Sequence, residues 1–272
     1  MSKYHCKSLI SLMVLVLLPA VFSGCIPPIH RSPGAFVIDH TDTDAGLIPE
    51  SVIAEITGLD VYFEHASVGT NMMDGVAALE SDTPSRYTID RTDNSFSTWF
   101  VTDNGIGENP RGNPGRQEKI DYFVNSMTTD DFANLVDVAM FKFCYIDDDR
   151  EVVNGTAAQA FTAYQTAMES LETAYPDTAF IWWTMPIETT GNEWKDDYNN
   201  LVRDYCIDNG KILFDLADIE CYTTAGVHTT DNGYEAMVGD FTSDGGHLNA
   251  AGSSRAAQAF WVLLAGVCGY GL

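Results

Sequence analysis

A three-layer α/β/α sandwich around a mostly parallel five-stranded sheet is the fold class this sequence predicts, and three observations predict it. Apolar, strand-like runs alternate with longer helical patterns from about residue 55 to the C-terminus, the signature of parallel strands joined by helices. The middle run, 136–145, is nearly continuous in apolar residues, as a central strand covered on both faces must be. A composition of 45% hydrophobic, 11% aromatic and 19% charged residues suffices to bury a large core.

The first element is not part of that sandwich. Lys3 and Lys7 precede an apolar run over 9–22, then Ser23, Gly24 and Cys25, with no acidic residue in the first 24 positions. This is the layout of an export signal, and the run is shorter than the roughly 20 apolar residues a bilayer span needs. Phe22-Ser23-Gly24-Cys25 resembles a bacterial lipobox, which implies cleavage before Cys25 and a lipid on its thiol. The alternative is a secreted protein with an ordinary signal and a stray cysteine. Residues 26 to about 50 hold three prolines before Ala35 and little periodicity, so this stretch reads as a tether. The expected layout is a signal peptide over 1–24, a lipid-anchored tether over 25–54 and a folded domain over 55–272. The expected place is the cell envelope, with membrane attachment through the N-terminal lipid.

Within the domain, strands are predicted at 59–63, 87–89, 136–145, 179–184 and 212–216. Helices are predicted at 71–79, 117–124, 157–174, 193–206 and 249–267. Right-handed crossovers place these helices on both faces of the sheet, and ligands bind outside the carboxyl ends of the strands. Residues that follow strands are therefore the candidates for function.

Charge and cysteines narrow the class further. The net charge of −25 repels phosphate backbones and anionic lipid, which excludes nucleic acid as a partner and a charge-driven membrane mode. Once Cys6 leaves with the leader and Cys25 carries lipid, Cys144, Cys206, Cys221 and Cys268 remain. Export permits disulfides, and four cysteines allow three pairings or free buried thiols. Cys144, inside an apolar strand, reads as core.

Two motifs carry chemistry. After the first strand comes His65-Ala66-Ser67-Val68-Gly69, opening into a helix. A serine on a tight strand-to-helix turn projects its hydroxyl over the sheet edge, with its own N–H near a helix N-terminus where an oxyanion would develop. A turn and N-cap is the structural alternative. Before the last helix comes Asp244-Gly245-Gly246-His247. An aspartate three residues before a histidine folds back to accept the Nδ1–H, which leaves Nε2 free to take a serine proton. A capping loop or half a metal site is the alternative here.

Together the motifs resemble the SGNH/GDSL hydrolases, in a divergent branch with a His-x-Ser-x-Gly block in place of Gly-Asp-Ser. The resemblance runs over roughly residues 55–268, with the serine after the first strand and Asp-x-x-His before the last helix. It implies an SGNH hydrolase-like, flavodoxin-like fold and a triad of Ser67, Asp244 and His247. It also implies an oxyanion hole formed by the Ser67 N–H, a glycine N–H after the second strand and an Asn side chain after the third. Gly107, in preference to Gly105, is the expected glycine. The third block departs from the family: Phe143-Cys144-Tyr145-Ile146-Asp147 holds no asparagine. Tyr145, or Asn109 from the neighbouring loop, is the expected substitute, since losing one such donor costs about 100- to 1000-fold in rate.

The implied activity is that of a serine esterase or acylhydrolase, a carboxylesterase or acetylesterase that needs no cofactor or metal. Its partner would be an ester substrate, with an O-acylated polysaccharide the first to test. A noncatalytic carbohydrate-binding or envelope-scaffold lipoprotein is the alternative, favoured by the missing asparagine. The remaining features have plainer readings. Thr184-Met185-Pro186 is a strand stop, and Trp182 and Trp183 fill core space rather than stack on sugar. His65 is structural, and His228, Asp231 and Asp240 are solvated loop residues without the spacing of a metal site.

Overall fold

Side chains alternate across a strand, so a sheet that feeds two cores needs apolar residues at successive positions. Val61, Phe63, Val138, Met140, Ile181, Trp183 and Phe214 belong to one buried cluster. Tyr62, Ala139, Phe141, Phe180, Trp182 and Leu213 belong to another. This is the three-layer α/β/α sandwich. It is seen in a computed structural model that describes residues 34–89, 91–93, 105–110, 112–150 and 155–271.

In chain order the elements begin with β1 (Phe36–Ile38), α1 (Glu50–Ile56), β2 (Asp60–His65), α2 (Val68–Asp82), β3 (Arg91–Asp93) and β4 (Gly105–Pro110). There follow α3 (Arg116–Thr128), β5 (Val138–Phe141), α4 (Ala157–Ala174), β6 (Ala179–Trp183) and α5 (Glu193–Asn209). The chain closes with β7 (Ile212–Phe214), α6 (Leu216–Cys221), a two-stranded ribbon of β8 (Thr230–Asp231) and β9 (Tyr234–Glu235), and α7 (Ala250–Val267). The main sheet runs β1-β7-β6-β5-β2-β4-β3, and every pairing in it is parallel. Its inner strands, β4-β2-β5-β6-β7, put the first strand of the core between the second and the third. The chain reverses direction across the sheet at β2 and β5, where doubly wound folds place their ligands.

The helices follow from their sequences. Thr156 and Gln159 cap α4 reciprocally, satisfying two orphan donors. Asn249 caps α7 by accepting from the amides of Ala251 and Gly252. Helices α2 and α7 touch at Gly75, where a Cβ would stand 2.2 Å from the Ser253 carbonyl oxygen. That contact seats α2, and the residue before it, against the last helix.

Three expectations are corrected. The strand beside β2 is not 87–89: Tyr87 and Ile89 are buried but outside any strand, with Tyr87 packed on Trp261 at 5.2 Å between ring centres. The place belongs to β4, in register with the whole of β2. The tether expected over 25–54 is too long, because β1 pairs with β7 and Ile38, Ala45, Ile48 and Ile53 are buried in the core. Four of the five expected strands are present, and with β4 they form an inner sheet that edge strands extend, β1 on one side and β3 on the other.

The leader expected over 1–24 and the expected lipid site, Cys25, lie outside the described residues. Among the described residues no helix is long and apolar enough to cross a membrane. Cys144, Cys206, Cys221 and Cys268 are all free thiols.

Candidate active site

Strand β2 ends at His65, and Ser67 is the N-cap of α2, with φ 54° and ψ −99°. A positive φ is uncommon for a residue with a Cβ, and such strain is of order 1–3 kcal/mol. The hydroxyl makes no capping bond. A serine serving only as an N-cap would hold extended backbone and bond its oxygen to the next turn, and Ser67 does neither. The turn is closed by the backbone instead: the Ala66 carbonyl accepts from the Gly69 N–H at 3.0 Å, and the Ser67 carbonyl accepts from Asn71 at 3.1 Å. Gly69 is required here, since a Cβ would stand 2.4 Å from the His65 Cβ. The His-x-Ser-x-Gly spacing thus records how closely the helix leaves the strand. His65 is buried, its ring 4.7 Å from that of Phe63.

The turn before α7 folds as its spacing predicts. Asp244 Oδ2 lies 2.7 Å from His247 Nδ1, and Oδ1 accepts the backbone N–H groups of Gly246 at 3.0 Å and His247 at 2.8 Å. Gly245, at φ 93°, lets the chain turn back. The His247 N–H, then the Gly246 N–H, then the imidazole hold the Asp244 carboxyl well below the usual carboxylate range, because each stabilises the anion. Both side chains are solvent-accessible, His247 at 42%.

Tyr145, just beyond β5, joins this dyad. Its ring meets that of His247 edge-on, 5.3 Å between centres. Its hydroxyl lies 3.3 Å from each imidazole nitrogen. Gly246 makes room, since a Cβ there would stand 2.8 Å from Tyr145 Cζ. Burial, then nearby Cys144 and Asp244, push the phenol up to about 12, so the hydroxyl is a neutral donor at physiological pH. Arg150 holds the Tyr145 loop through ion pairs to Asp148 at 2.7 Å and Glu188 at 2.6 Å. Lys195, fully buried, bridges the same two carboxylates.

The oxyanion candidates divide. Gly107 does not follow the second strand: it lies within β4, paired with Tyr62 on one side and Thr92 on the other. There its peptide belongs to the middle of a ladder rather than to a loop. The glycines that do follow β4 are Gly112 and Gly115, the latter at φ 113°. Asn109 stands opposite Glu64, one position short of the pair that ends both strands, and so near the carboxyl end.

Lys142 was missed by the sequence reading, although a lysine inside the apolar run 136–145 was its signal. It is buried and donates from Nζ to the Ala66 carbonyl at 3.1 Å and the Phe143 carbonyl at 3.2 Å. Beside the Tyr145 loop, a cleft of about 930 Å³ opens between Asn113, Arg116, Ile146 and Arg150.

Trp182 and Trp183 are both buried, on opposite faces of the sheet. His228 gathers with Cys221 and Glu235, and Asp39 with His40 and Asp218, each set with ligand atoms within 4.8 Å. Their members already hold other bonds, among them Glu235 to Arg203 at 2.8 Å, Asp39 to the Thr41 hydroxyl at 2.7 Å and His40 to Asp218 at 2.5 Å. Both sets lie at the β1–β7 side of the sheet, away from Ser67.

No protein-family model matches the chain, and no curated protein matches it. Solved structures do. An acetyl xylan esterase overlays with a TM-score of 0.49 at 20% identity, covering 74% of this chain and 97% of its own. A carbohydrate esterase family 3 enzyme from Talaromyces cellulolyticus overlays at 0.47 with 12% identity, covering 74% and 94% respectively. A GDSL-like lipase from Bacteroides thetaiotaomicron overlays at 0.43 with 10% identity, covering 81% and 90%.

Proposed function

We propose that the protein is a serine ester hydrolase of the SGNH kind, with Ser67 as nucleophile, His247 as general base and Asp244 as the carboxylate that orients it. The observation that carries this reading is the Ser67 backbone: strained at φ 54°, with its hydroxyl used for no cap. Strain persists where surrounding structure over-determines it, and it clusters at sites of chemistry. The Asp244–His247 pair, bonded at 2.7 Å and in contact with Tyr145 beyond β5, supports it as the complementary half.

The reaction follows from these groups. Ser67 Oγ attacks the ester carbonyl carbon as its proton passes to His247 Nε2, and Asp244 steadies the imidazolium through Nδ1–H. The carbonyl oxygen becomes an oxyanion held by the Ser67 N–H, which donates to no other group among the described residues. Tyr145 or Asn109 is the side-chain donor in this reading, and Gly112 or Gly115 replaces Gly107 as the source of a second amide. The alkoxide leaves with the His247 proton. Water, deprotonated by the same nitrogen, then attacks the acyl-enzyme and frees the acid. Ser67 is not hydrogen-bonded to His247 in the free protein, and such bonds often tighten only once substrate is bound.

An O-acetylated glycan is the substrate class to test first, with the cleft between Asn113 and Arg150 as the place for its alcohol portion. The accompanying proposal is that Cys25 carries lipid and holds the enzyme to a membrane of the cell envelope. The test is hydrolysis of p-nitrophenyl acetate and of an acetylated xylan by the domain and by its Ser67→Ala and His247→Ala variants. Turnover by the parent and loss in both variants is expected. Equal turnover in all three would overturn the reading, and a folded, inactive parent that binds glycan would favour the noncatalytic alternative.

A further inference from the structure

The serine N–H that would hold the oxyanion belongs to a peptide whose other end is bonded to a buried cation. The Ala66–Ser67 peptide is trans, so its carbonyl and its N–H point in opposite directions. The Ala66 oxygen accepts twice, from the Gly69 N–H at 3.0 Å and from Lys142 Nζ at 3.1 Å. The ammonium lies inside, only 2% of Lys142 being exposed. The Ser67 N–H is therefore turned away from the interior, toward the carboxyl end of the sheet. The same ammonium holds the Phe143 carbonyl at 3.2 Å, two residues before Tyr145. One side chain thus joins the turn that carries Ser67 to the loop that carries Tyr145.

We propose that Lys142 is a positioning residue for the hydrolytic reaction, fixing the Ala66–Ser67 peptide so that the Ser67 N–H meets the oxyanion and strengthening that N–H as a donor by polarising the carbonyl. The inference rests on the serine hydrolase reading above. Its physical basis is the cooperativity of linked hydrogen bonds in a low-dielectric interior. A cation on a carbonyl draws electron density from the amide nitrogen, and the N–H on the far side binds an anion more strongly. Desolvation disfavours the charge of a buried lysine; the buried Lys119 and Lys195 meet carboxylates, whereas Lys142 donates to two carbonyls. Desolvation pulls the Lys142 ammonium down to about 8, with Cys144, Lys119, Asp147 and Glu220 as the surrounding titratable groups. At neutral pH it remains mainly a cation.

The test compares the parent with Lys142→Met, which removes donor and charge, and Lys142→Gln, which keeps a donor and removes the charge. Three quantities are read: kcat and KM on p-nitrophenyl acetate, the Kd of a small boronic acid that forms a tetrahedral adduct on Ser67, and the heat-unfolding midpoint. For folded Lys142→Met, kcat is expected to fall by about 10- to 100-fold with KM within about threefold, and boronate binding to weaken by the same factor as kcat. Lys142→Gln is expected to fall between Met and the parent, and it carries the test alone if Lys142→Met does not fold. A folded variant with parental kcat and boronate affinity overturns the inference and leaves the hydrolase reading intact. Loss of kcat matched by a rise in KM or by partial unfolding also overturns it, since a merely structural lysine behaves that way. A parent that neither turns over ester nor binds boronate overturns both.

Discussion

The Tyr145 hydroxyl lies 3.3 Å from both ring nitrogens of His247, and Nδ1 is already bonded to Asp244. The hydroxyl is thus equidistant from Nδ1 and Nε2, and Nε2 is the atom that takes the serine proton in the proposed reaction. The hydroxyl remains protonated because burial raises it to about 12. Tyr145→Phe keeps the ring on Gly246 and removes the donor. The expected outcome is a fall in kcat of about 10- to 100-fold with an unchanged unfolding midpoint. Steady-state kinetics with a short acyl ester checks it, and an increase in kcat would show that the hydroxyl only blocks the base.

The Ser67 backbone makes a prediction independent of activity. Glycine adopts φ 54° freely, whereas alanine keeps the Cβ that makes it costly. Ser67→Gly and Ser67→Ala should both be inactive, but Ser67→Gly should be the more stable by about 1 kcal/mol. Chemical denaturation of the two variants decides it, and equal stability would remove strain as an argument for the nucleophile.

Much of this arrangement was legible in the sequence. Runs of Val, Phe, Ile and Trp announced β2, β5, β6 and β7 because strands covered on both faces must be apolar throughout. The Asp244–His247 turn was legible because its bonds are local, three residues apart. Strand β4 was not: Gly105-Ile106-Gly107-Glu108-Asn109-Pro110 carries the residues of a loop and is a strand only because β2 lies alongside it in register. Gly107 was misplaced for the same reason. Strand β1 was hidden by its shortness, three residues after a proline-rich stretch, and it exists through pairing with β7, far away in sequence. Lys142 could be seen as odd in an apolar run, but its partner, the Ala66 carbonyl, is specified only by the tertiary fold.

Glu220, on α6, gives a pH dependence of stability. Burial pushes its carboxyl up to about 8 from an ordinary 4.5, and its Oε2 accepts from the Ile187 N–H. A carboxyl raised by folding binds its proton more tightly in the native state, so its contribution is full below about pH 4.5 and is lost as pH rises toward 8. Glu220→Gln cannot ionise. The unfolding midpoint of the parent relative to Glu220→Gln should therefore decline steadily between pH 4.5 and 8, and a constant difference would contradict the assignment.

Envelope attachment is checked at one atom. If Cys25 carries lipid, the full chain expressed in a bacterial host should partition with membranes, and Cys25→Ser should move it to the soluble or secreted fraction. A Cys25→Ser chain that still sediments with membranes would rule the lipid anchor out.

The central claim is that Ser67 is the nucleophile, and a fluorophosphonate reports on it directly, because only an activated serine displaces the fluoride. Intact-mass measurement followed by peptide mapping should find one adduct per chain, on Ser67, and none on Ser67→Ala. Labelling of both proteins, of neither, or of a serine other than Ser67 would contradict the account.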